Sequence, residues 1–472
     1  MRVGGKRVYG YMLGVVIAMM MSAGAHAEQQ QSADPLHALE RVKVLDLKTA
    51  ARIALGGNPS VAAAEARVRQ ASQVVKQAQA LYWPQLDATL GGSRVDMSER
   101  EFAPQAALNS MLSGLDSSAQ GIANPETYYQ LGLKATWLIF DGLAREFRLA
   151  TARYGEQAGV AGLDDVQRLL LSAVTSAYLQ AQLAQENVAI AKADEAFNRR
   201  QLVETRLRYD VGTGSLSDVL NFEVRVNAAV SARIQEERGY RAGLVSLAAL
   251  MGVRGGRLPA HVNLAELSAT TDQELSTPQP TLLIETALTR RPDLQRVDRV
   301  VQQAEAGVKA AQADYYPTIA LSADYTGNRP EDPGFQGDDF GNSIGIGLSW
   351  NIFAGGLTRA RTAEARARLY ETQRTRQDAH INVAAEIQRI ANEIDTAQRV
   401  LTLQETNTKL VKQQRDLVEK EYKAGVGSLA RLNQAQRDLN VARSQLAQAR
   451  VALRVSWYNL LTATGEILNT FK

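Results

Sequence analysis

The chain has 472 residues, with 53 Lys and Arg against 50 Asp and Glu, and it contains no cysteine. Without cysteine there is no disulfide framework, no thiolate metal site and no lipidated N-terminal cysteine, so packing alone must stabilise the fold. Three basic residues lie in a leader that we expect to be removed, which leaves 50 charges of each sign and a formal charge of zero. This balance gives no support to a nucleic-acid partner.

Residues 1–27 have the pattern of a secretory signal peptide. Three basic residues precede an apolar run over 11–21, and Ala25-His26-Ala27 has the small-x-small form of a cleavage site. A signal anchor that stays in the membrane is the alternative, but the run is shorter than the roughly 20 residues of a membrane span. We therefore expect an exported chain that begins at Glu28.

The rest of the chain contains two copies of one sequence unit. Asn58-Pro59 recurs as Arg291-Pro292, at an offset of 233 residues. Farther along, the offset is 213 and holds for Trp137 and Trp350, Phe140 and Phe353, Tyr209 and Tyr422, Gly212 and Gly425, and Gly252 and Gly465. The repetition predicts a first structural repeat over 28–254, a second over 281–472, and a linker of little structure over 255–280.

Each repeat contains one very long helix, predicted over 142–210 and 355–423 from apolar residues spaced three and four apart. About 67 residues rising 1.5 Å each make a rod of about 100 Å, which no compact domain contains. A glycine-containing turn leads from each rod into a return helix, over 215–252 and 428–464. Shorter helices precede the strands, over about 46–55, 60–82, 281–290 and 293–315. We expect each rod to pack beside its return helix and a shorter helix laid in line.

Alternating residues predict two β-hairpins, over about 84–140 and 317–353. Their apolar faces include Leu131, Leu133, Trp137, Ile344, Ile346, Leu348 and Trp350, with Leu348 near the middle of a strand that reaches Ile352. Their polar faces carry Asp87, Thr89, Lys134, Ser322, Asp324 and Asn351. Strands of about ten residues suit a membrane barrel, and a soluble sheet packed on a core is the alternative.

Four strands cannot close a barrel, and open strand edges are not tolerated in lipid. Several chains would therefore have to contribute to one barrel, with the polar faces lining a wet lumen. The segments between the hairpin strands, about 96–126 and 328–342, are rich in Pro, Gly, Asp and Asn and are predicted to be surface loops.

This order of elements, with Tyr82-Trp83-Pro84 and Tyr315-Tyr316-Pro317 before the strands and Tyr-x-x-Gly turns at Tyr209 and Tyr422, resembles the TolC family of outer-membrane export ducts. The resemblance implies a mainly α fold with a small β part. Long antiparallel coiled-coil helices would form a periplasmic tunnel, and four transmembrane strands per chain would complete a β-barrel as a trimer.

The same resemblance implies a function in export from a Gram-negative cell. A homotrimer in outer-membrane lipid would join a periplasmic adaptor and an inner-membrane ABC or RND-type transporter, and would move drugs or proteins outwards. It would need no cofactor. A soluble periplasmic coiled-coil adaptor or scaffold is the alternative, and the bare apolar strand faces speak against it.

Candidate site residues lie at the end of the helices away from the strands. The glycine turns, with Gly212, Gly214, Gly425 and Gly427, are predicted to form a periplasmic tip that docks the adaptor. Asp218 and Tyr422 match family positions that latch the entrance, although Asp218 would equally serve as an acid in the first turn of a helix.

Two departures from the family pattern affect the predicted entrance. Arg431 and Gln434 stand where the family usually places aspartates, and Gly427 stands where the latch has an arginine. Three Arg431 side chains converging on one axis would repel one another, so either they find acceptors or the entrance stays partly open. The resemblance and the charges together predict a closed entrance held by Arg431, Asp218 and Tyr422.

An enzyme has little support in this sequence. His37, His261 and His380 are scattered and lack the spacing of a metal site or a catalytic triad, so we predict no catalytic, cofactor or metal residues. Four acids cluster between the second pair of strands, at Glu331, Asp332, Asp338 and Asp339. Divalent-cation binding and a solvated loop are the two interpretations of this cluster.

Overall fold

The computed structural model describes residues 35–40, 42–113 and 124–471, so the predicted leader lies outside the described residues. The elements of the first repeat are, in chain order, α1 (Pro35–Glu40), β1 (Val44–Leu45), α2 (Leu47–Gly57), α3 (Pro59–Ala80), β2 (Gln85–Val95), α4 (Glu99–Ser113), β3 (Glu126–Phe140), α5 (Ala144–Asp210) and α6 (Leu216–Leu250). Those that follow are β4 (Asn263–Leu264), α7 (Pro280–Arg290), α8 (Pro292–Gln312), β5 (Thr318–Pro330), β6 (Phe340–Ser349), α9 (Leu357–Lys423), α10 (Leu429–Thr464) and α11 (Ile467–Phe471). The fold is mainly α with a small β part, as predicted.

The two long helices, α5 and α9, have 67 residues each and are therefore about 100 Å long. Each ends in a tight turn, after which a serine caps the return helix. Ser215 Oγ accepts a hydrogen bond from the Ser217 amide, and Ser428 Oγ accepts one from the Arg431 amide. These caps satisfy amides that the first turn of a helix leaves without a partner. No helix in the described part of the chain is long and apolar enough to cross a membrane.

The helices lie side by side in two layers stacked end to end. Near the strands, α5 packs between α3 and α8, and α8 also packs against α9. Near the tight turns, α5 packs between α6 and α10, and α10 also packs against α9. The two long helices thus run through both layers, while α3 with α6, and α8 with α10, supply the shorter pieces.

Apolar clusters hold the helices together where the two layers meet and again near the turns. One middle cluster joins β1, α2, α5 and the end of α6 through Leu45, Ala50, Val174, Leu247 and Met251. A second joins α7, α8, α9 and α10 through Leu294, Ile387, Ile394, Leu453 and Leu460. The cluster near the turns, which we call the tip cluster, contains Phe197, Phe222, Val418, Tyr422, Leu432 and Ala435.

The four long strands form one antiparallel sheet in the order β2-β3-β5-β6. The register places apolar residues opposite apolar residues across all four strands: Leu133 pairs with Ala88 and Tyr325, and Ala323 pairs with Ala135 and Ile344. One face of the sheet is therefore continuously apolar. The outer edges of β2 and β6 carry no partner strand in the described chain.

Three expectations from the sequence were wrong in detail. The segment between β2 and β3, predicted as a loop, contains the helix α4. Trp350, predicted as a strand residue, lies one residue beyond β6, because its neighbour Ser349 is already opposite Thr318, the first residue of β5. Leu348 therefore stands near the end of its strand rather than at its middle.

The third correction concerns the linker, which is more ordered than its composition indicates. Strand β4 pairs in parallel with β1 of the first repeat. Glu274, in a short 3₁₀ helix, accepts a hydrogen bond from Arg454 through its carboxylate and from the Trp457 indole through its backbone carbonyl. The linker is thus fixed to both repeats by partners distant in sequence.

Candidate functional site

The apolar face of the sheet is uncovered in the single chain. Ile344, Ile346 and Leu348 are 80%, 73% and 66% exposed, and Leu131, Leu133 and Trp137 on β3 are exposed as well. A contiguous apolar surface of this kind marks a site of contact with another protein or with a membrane. All these residues had been predicted to face lipid, and the register places them on one side of the sheet.

Aromatic residues mark both ends of this apolar face. At the helical end, Trp137 Nε1 donates to the Tyr82 carbonyl at 3.0 Å, and the equivalent Trp350 Nε1 donates to the Tyr315 carbonyl at 3.1 Å. At the other end, the ring of Tyr325 stacks on Phe340 with centroids 5.0 Å apart. Aromatic belts at two levels are typical of strands that meet both membrane interfaces.

The acidic loop between β5 and β6 is organised by an arginine. Arg329 pairs with Asp339 at 3.0 Å and with Asp332 at 3.2 Å, and Asp339 also accepts from the Gln336 amide. The described residues contain no group of three or more acids or histidines that could hold a metal ion. Arg329 thus fixes two of the four acids, Asp332 and Asp339, within the surface loop, while its single charge leaves the cluster negative overall.

The junction between strand β3 and helix α5 depends on a buried arginine that sequence reasoning missed. Arg145 donates to the carbonyls of Leu138 and Ile139 at 2.6 and 3.0 Å, and its Nε lies 3.3 Å from the Asp141 carboxylate. These bonds satisfy carbonyls at the end of β3, where the chain turns into the helix. The equivalent position in the second repeat is Thr358, so the asymmetry between the repeats was the available signal.

A second missed arginine lies where the two helical layers meet. Arg291, at the start of α8, makes paired bonds with Asp293 at 2.8 and 3.0 Å, contacts Glu386 of α9 at 2.5 Å and donates to the Ala463 carbonyl of α10 at 3.1 Å. Arg168 of α5 adds its charge 3.8 Å from Asp293. We call these side chains, with Asp165 beside Arg168, the middle ion cluster.

Contacts within the middle ion cluster shift the pKa values of Asp293 and Arg291. Burial alone raises the pKa of Asp293, but the hydrogen bonds and charge of Arg291, with the charge of Arg168, outweigh burial and hold it below its usual value. Burial likewise lowers the pKa of Arg291, and the two carboxylates outweigh it and raise that pKa. The charged forms are therefore stabilised in the folded chain.

The predicted tip glycines have backbone geometry that other residues do not readily adopt. Gly212 and Gly425 both have φ of 78°, in the left-handed region. A Cβ at Gly214 or Gly427 would lie 2.9 Å from backbone nitrogen of the preceding helix. The exposed residues beside them, Val211 and Val426, form a small apolar end to each helical hairpin.

The predicted latch residues come together only in part. Tyr422 is buried in the tip cluster, with the Arg208 guanidinium over its ring at 5.5 Å. Burial raises the pKa of Tyr422; a hydrogen bond with Thr205 opposes this shift, and the nearby charge of Asp218 adds to it. Asp218 lies in the first turn of α6, three residues after the Ser215 cap, so it also occupies the alternative position at a helix start.

Arg431 pairs within the chain with Glu421 at 3.3 Å rather than with the predicted acceptor, Asp218. The reason is local, because Glu421 and Arg431 flank the same tight turn. Gln434, one turn along α10, donates to Asp438 at 2.7 Å. Within one chain, the charge of Asp218 therefore acts on Tyr422. Arg431 and Gln434 make separate contacts, with Glu421 and Asp438.

Comparison with known proteins identifies the architecture. The family model described as outer membrane efflux protein matches residues 50–253 and 283–466. The pyoverdine export outer membrane protein OpmQ of Pseudomonas aeruginosa is 28% identical over 87% of this chain and 83% of its own length. Protein CyaE of Bordetella pertussis is 26% identical over 91% of this chain and 85% of its own.

Solved structures show the same fold. The outer membrane protein VceC of Vibrio cholerae superposes with a TM-score of 0.72 at 19% identity, over 89% of this chain and 96% of that one. The open state of the MtrE outer membrane channel of Neisseria gonorrhoeae gives 0.68 at 20% identity, over 89% and 88%.

These matches decide between the interpretations that the sequence left open. The resemblance to TolC channels is confirmed, the location is the outer membrane, and the role is that of an export channel rather than of a soluble adaptor. The family consists of transport proteins, not of known enzymes. Because the two matched segments span most of the sequence, the chain belongs to the outer membrane efflux protein family.

Proposed function

We propose that three copies of this chain form one export duct, with a twelve-stranded barrel in the outer membrane and a helical tunnel below it. The order of the elements supports this assembly. In the sheet and in both helical layers, the outermost element on one side comes from the first repeat and the outermost element on the other side comes from the second. One side of the chain ends in β2, α3 and α6 of the first repeat, and the other ends in β6 and α9 of the second. Joining unlike ends around a ring would cover every open edge.

Exposed apolar seams on the outermost helices support the same ring. On α9, Leu403, Leu410 and Leu417 recur every seven residues and are 68%, 58% and 60% exposed. On α6, Leu216, Leu220 and Val224 recur every four residues and are also exposed. A seven-residue repeat is the spacing of a coiled-coil seam, so α9 of one copy would pack on α6 of the next.

The duct would be loaded from the periplasmic end by an adaptor and an inner-membrane ABC or RND-type transporter. Two relatives are named for pyoverdine export and for alkaline protease secretion, so both small molecules and proteins are cargo within the family. We assign this chain the same function, in which drugs or proteins pass through an open lumen without a chemical step. The adaptor would dock on the turns around Gly212 and Gly425, where the valines beside them are exposed.

One experiment tests the duct and its docking end together. Gly425→Trp with Gly212→Trp should leave trimers in the outer membrane and abolish export, because the bulky rings would obstruct an adaptor helix. The matched control is Gly425→Asn with Gly212→Asn, since asparagine tolerates the left-handed backbone and is far smaller. Gel filtration in detergent measures the trimer, and export of the cargo measures docking.

The two readouts separate the claims. A native protein that runs as a monomer, or that fractionates with the soluble periplasm, would contradict the duct. Normal export by the tryptophan variant would contradict docking at the turns and leave the duct intact.

The entrance residues form a charge pattern that suits closure by a ring. At the repeat offset of 213, Asp218 of α6 corresponds to Arg431 of α10, and Arg225 of α6 corresponds to Asp438 of α10. Each charged residue of α6 in this comparison thus has a residue of opposite charge at the equivalent position of α10. Where α6 and α10 alternate around an axis, these two pairs of positions would then carry equal and opposite charges. Asp218 would thereby supply the acceptor that three converging arginines need, in competition with Glu421.

Conductance of the purified trimer in a planar bilayer tests this gate. Asp218→Ala should raise the current, because it leaves Arg431 side chains facing one another, and Arg431→Asp should shift ion preference towards cations. Arg52→Asp makes the same charge change at an exposed site on α2, outside the seams of α6 and α9. It should change neither quantity. Equal currents and selectivities in all three variants would place the constriction elsewhere.

A further inference from the structure

The polar face of the sheet concentrates its charge at one level. In the strand register, Asp87 of β2 lies opposite Lys134 of β3, which lies opposite Asp324 of β5, which lies opposite Ser343 of β6. Ser343 Oγ is 3.3 Å from the Asp324 carboxylate. A single row thus crosses all four strands with the order acid, base, acid, hydroxyl.

The neighbouring rows of the same face are uncharged. On the side towards the helices the row is Gln85, Thr136, Ser322 and Gly345, and on the other side it is Thr89, Gly132, Thr326 and Gly341. The one further charged residue on this face of the four strands is Glu126, at the far end of β3. Charge on this face is therefore confined to one row and one rim position.

Gly132 makes the uncharged row beside it closely packed. A Cβ there would lie 3.0 Å from Thr89 Oγ1 and 3.1 Å from Thr326 Oγ1, so the two threonines close over the glycine. Thr89 Oγ1 also lies 3.4 Å from the Gly132 carbonyl. The charged row is thus flanked by a wall of short hydroxyl side chains that offers no competing charge.

We propose that this row, repeated around the barrel, is an electrostatic girdle that sets the ion preference of the lumen. This inference rests on the proposed trimer. Three copies of the row place six carboxylates and three ammonium groups in one band of the lumen, for a net charge of −3. A low-dielectric wall focuses such a charge into the lumen, so the girdle favours cationic solutes and opposes anionic ones.

Lys134 adjusts the strength of this preference. It lies between two carboxylates, so it halves the negative charge that the row would otherwise carry. Removing Lys134 should strengthen the preference for cations, and removing both acids should reverse it. A purely structural role for the lysine, as a bridge between two strands, predicts lost stability with no such opposite pair of shifts.

The test is the reversal potential of the purified trimer in a planar bilayer across a KCl gradient. Lys134→Gln should move the reversal potential towards the cation equilibrium value, and the Asp87→Asn, Asp324→Asn double variant should move it towards the anion value. Lys48→Gln removes the same charge at an exposed site on α2 and should leave it unchanged. Both shifts should shrink between 0.1 M and 1 M salt, as the Debye length falls from about 10 Å to about 3 Å.

The outcomes are distinguishable. Trimers that conduct normally but show one reversal potential for native protein and all variants would overturn the girdle and leave the duct in place. A native protein that forms neither a trimer nor a pore would overturn the proposed duct itself.

Discussion

Ile344→Arg should remove most of the protein from the outer membrane. Ile344 lies at the middle of β6 and is 80% exposed on the apolar face, opposite Ala323. An arginine on the lipid side of a membrane strand costs about 2–4 kcal/mol at the bilayer midplane and about 0–1 kcal/mol near the interfaces. Three copies of this cost fall on one trimer, so assembly should fail.

The same strand offers two controls. Gly345→Arg places the same side chain at the same depth on the polar face, where a Cβ meets only ordinary contact with Ser322, and it should insert normally. Leu348→Arg lies one residue from the end of β6, so its effect should be intermediate. Heat-resistant trimer in isolated outer membranes is the measurement, and equal insertion of Ile344→Arg and Gly345→Arg would contradict a lipid-facing sheet.

The strands show what the sequence could predict. Alternation fixes which residues share a face, and the repeat offset aligns Trp137 with Trp350, which make equivalent hydrogen bonds. The end of β6 was predicted wrongly because a strand ends where its partner strand ends. Ser349 is opposite Thr318, the first residue of β5, and the position at which β5 begins depends on where the preceding helix ends. Local pattern carries no information about such a distant constraint.

Contacts between distant residues account for the other misses. The order of the linker depends on Arg454 and Trp457, about 180 residues farther along the chain. Arg291 was noticed only as the counterpart of Asn58, although a charged residue in place of an amide is itself a signal. Asn58 Nδ2 donates to the Leu250 carbonyl at 2.7 Å, and Arg291 makes the equivalent bond to Ala463 at 3.1 Å. The second repeat has added carboxylates around the same link.

Arg291→Met should destabilise the helical layers far more than Arg290→Met. Methionine keeps much of the volume but removes the hydrogen bonds that Arg291 donates to Asp293, Glu386 and the Ala463 carbonyl. Breaking a fully buried ion pair costs about 3–5 kcal/mol. Because both carboxylates are partly exposed, we expect roughly 2–3 kcal/mol per chain here.

Arg290 is a matched control, since it is the adjacent arginine and is 56% exposed with a single partner, Glu466. An exposed pair of this kind contributes about 0–1 kcal/mol. Arg291→Asn introduces the residue that the first repeat has at the equivalent position, Asn58. Its amide can still donate to the Ala463 carbonyl but cannot neutralise the two acids, so its stability should be close to that of Arg291→Met. Loss of helical circular dichroism on heating the detergent-solubilised trimer reports each change.

Acid should reduce the difference in melting temperature between native protein and Arg291→Met, because Asp293 loses its charge while the bond from Arg291 to the Ala463 carbonyl does not titrate. Arg291 and Arg168 hold the pKa of Asp293 below its usual value in the folded chain, so this carboxylate stabilises the fold at pH values above about 3.9, its ordinary pKa. That contribution is lost as pH falls through the lowered folded pKa. Arg291→Met removes the interactions that lower the pKa of Asp293 most, so this carboxylate contributes less stability to the variant at neutral pH and the variant loses less of it in acid. Melting temperatures that differ equally at pH 7 and at pH 3 would show that Arg291 acts through packing rather than through its charge.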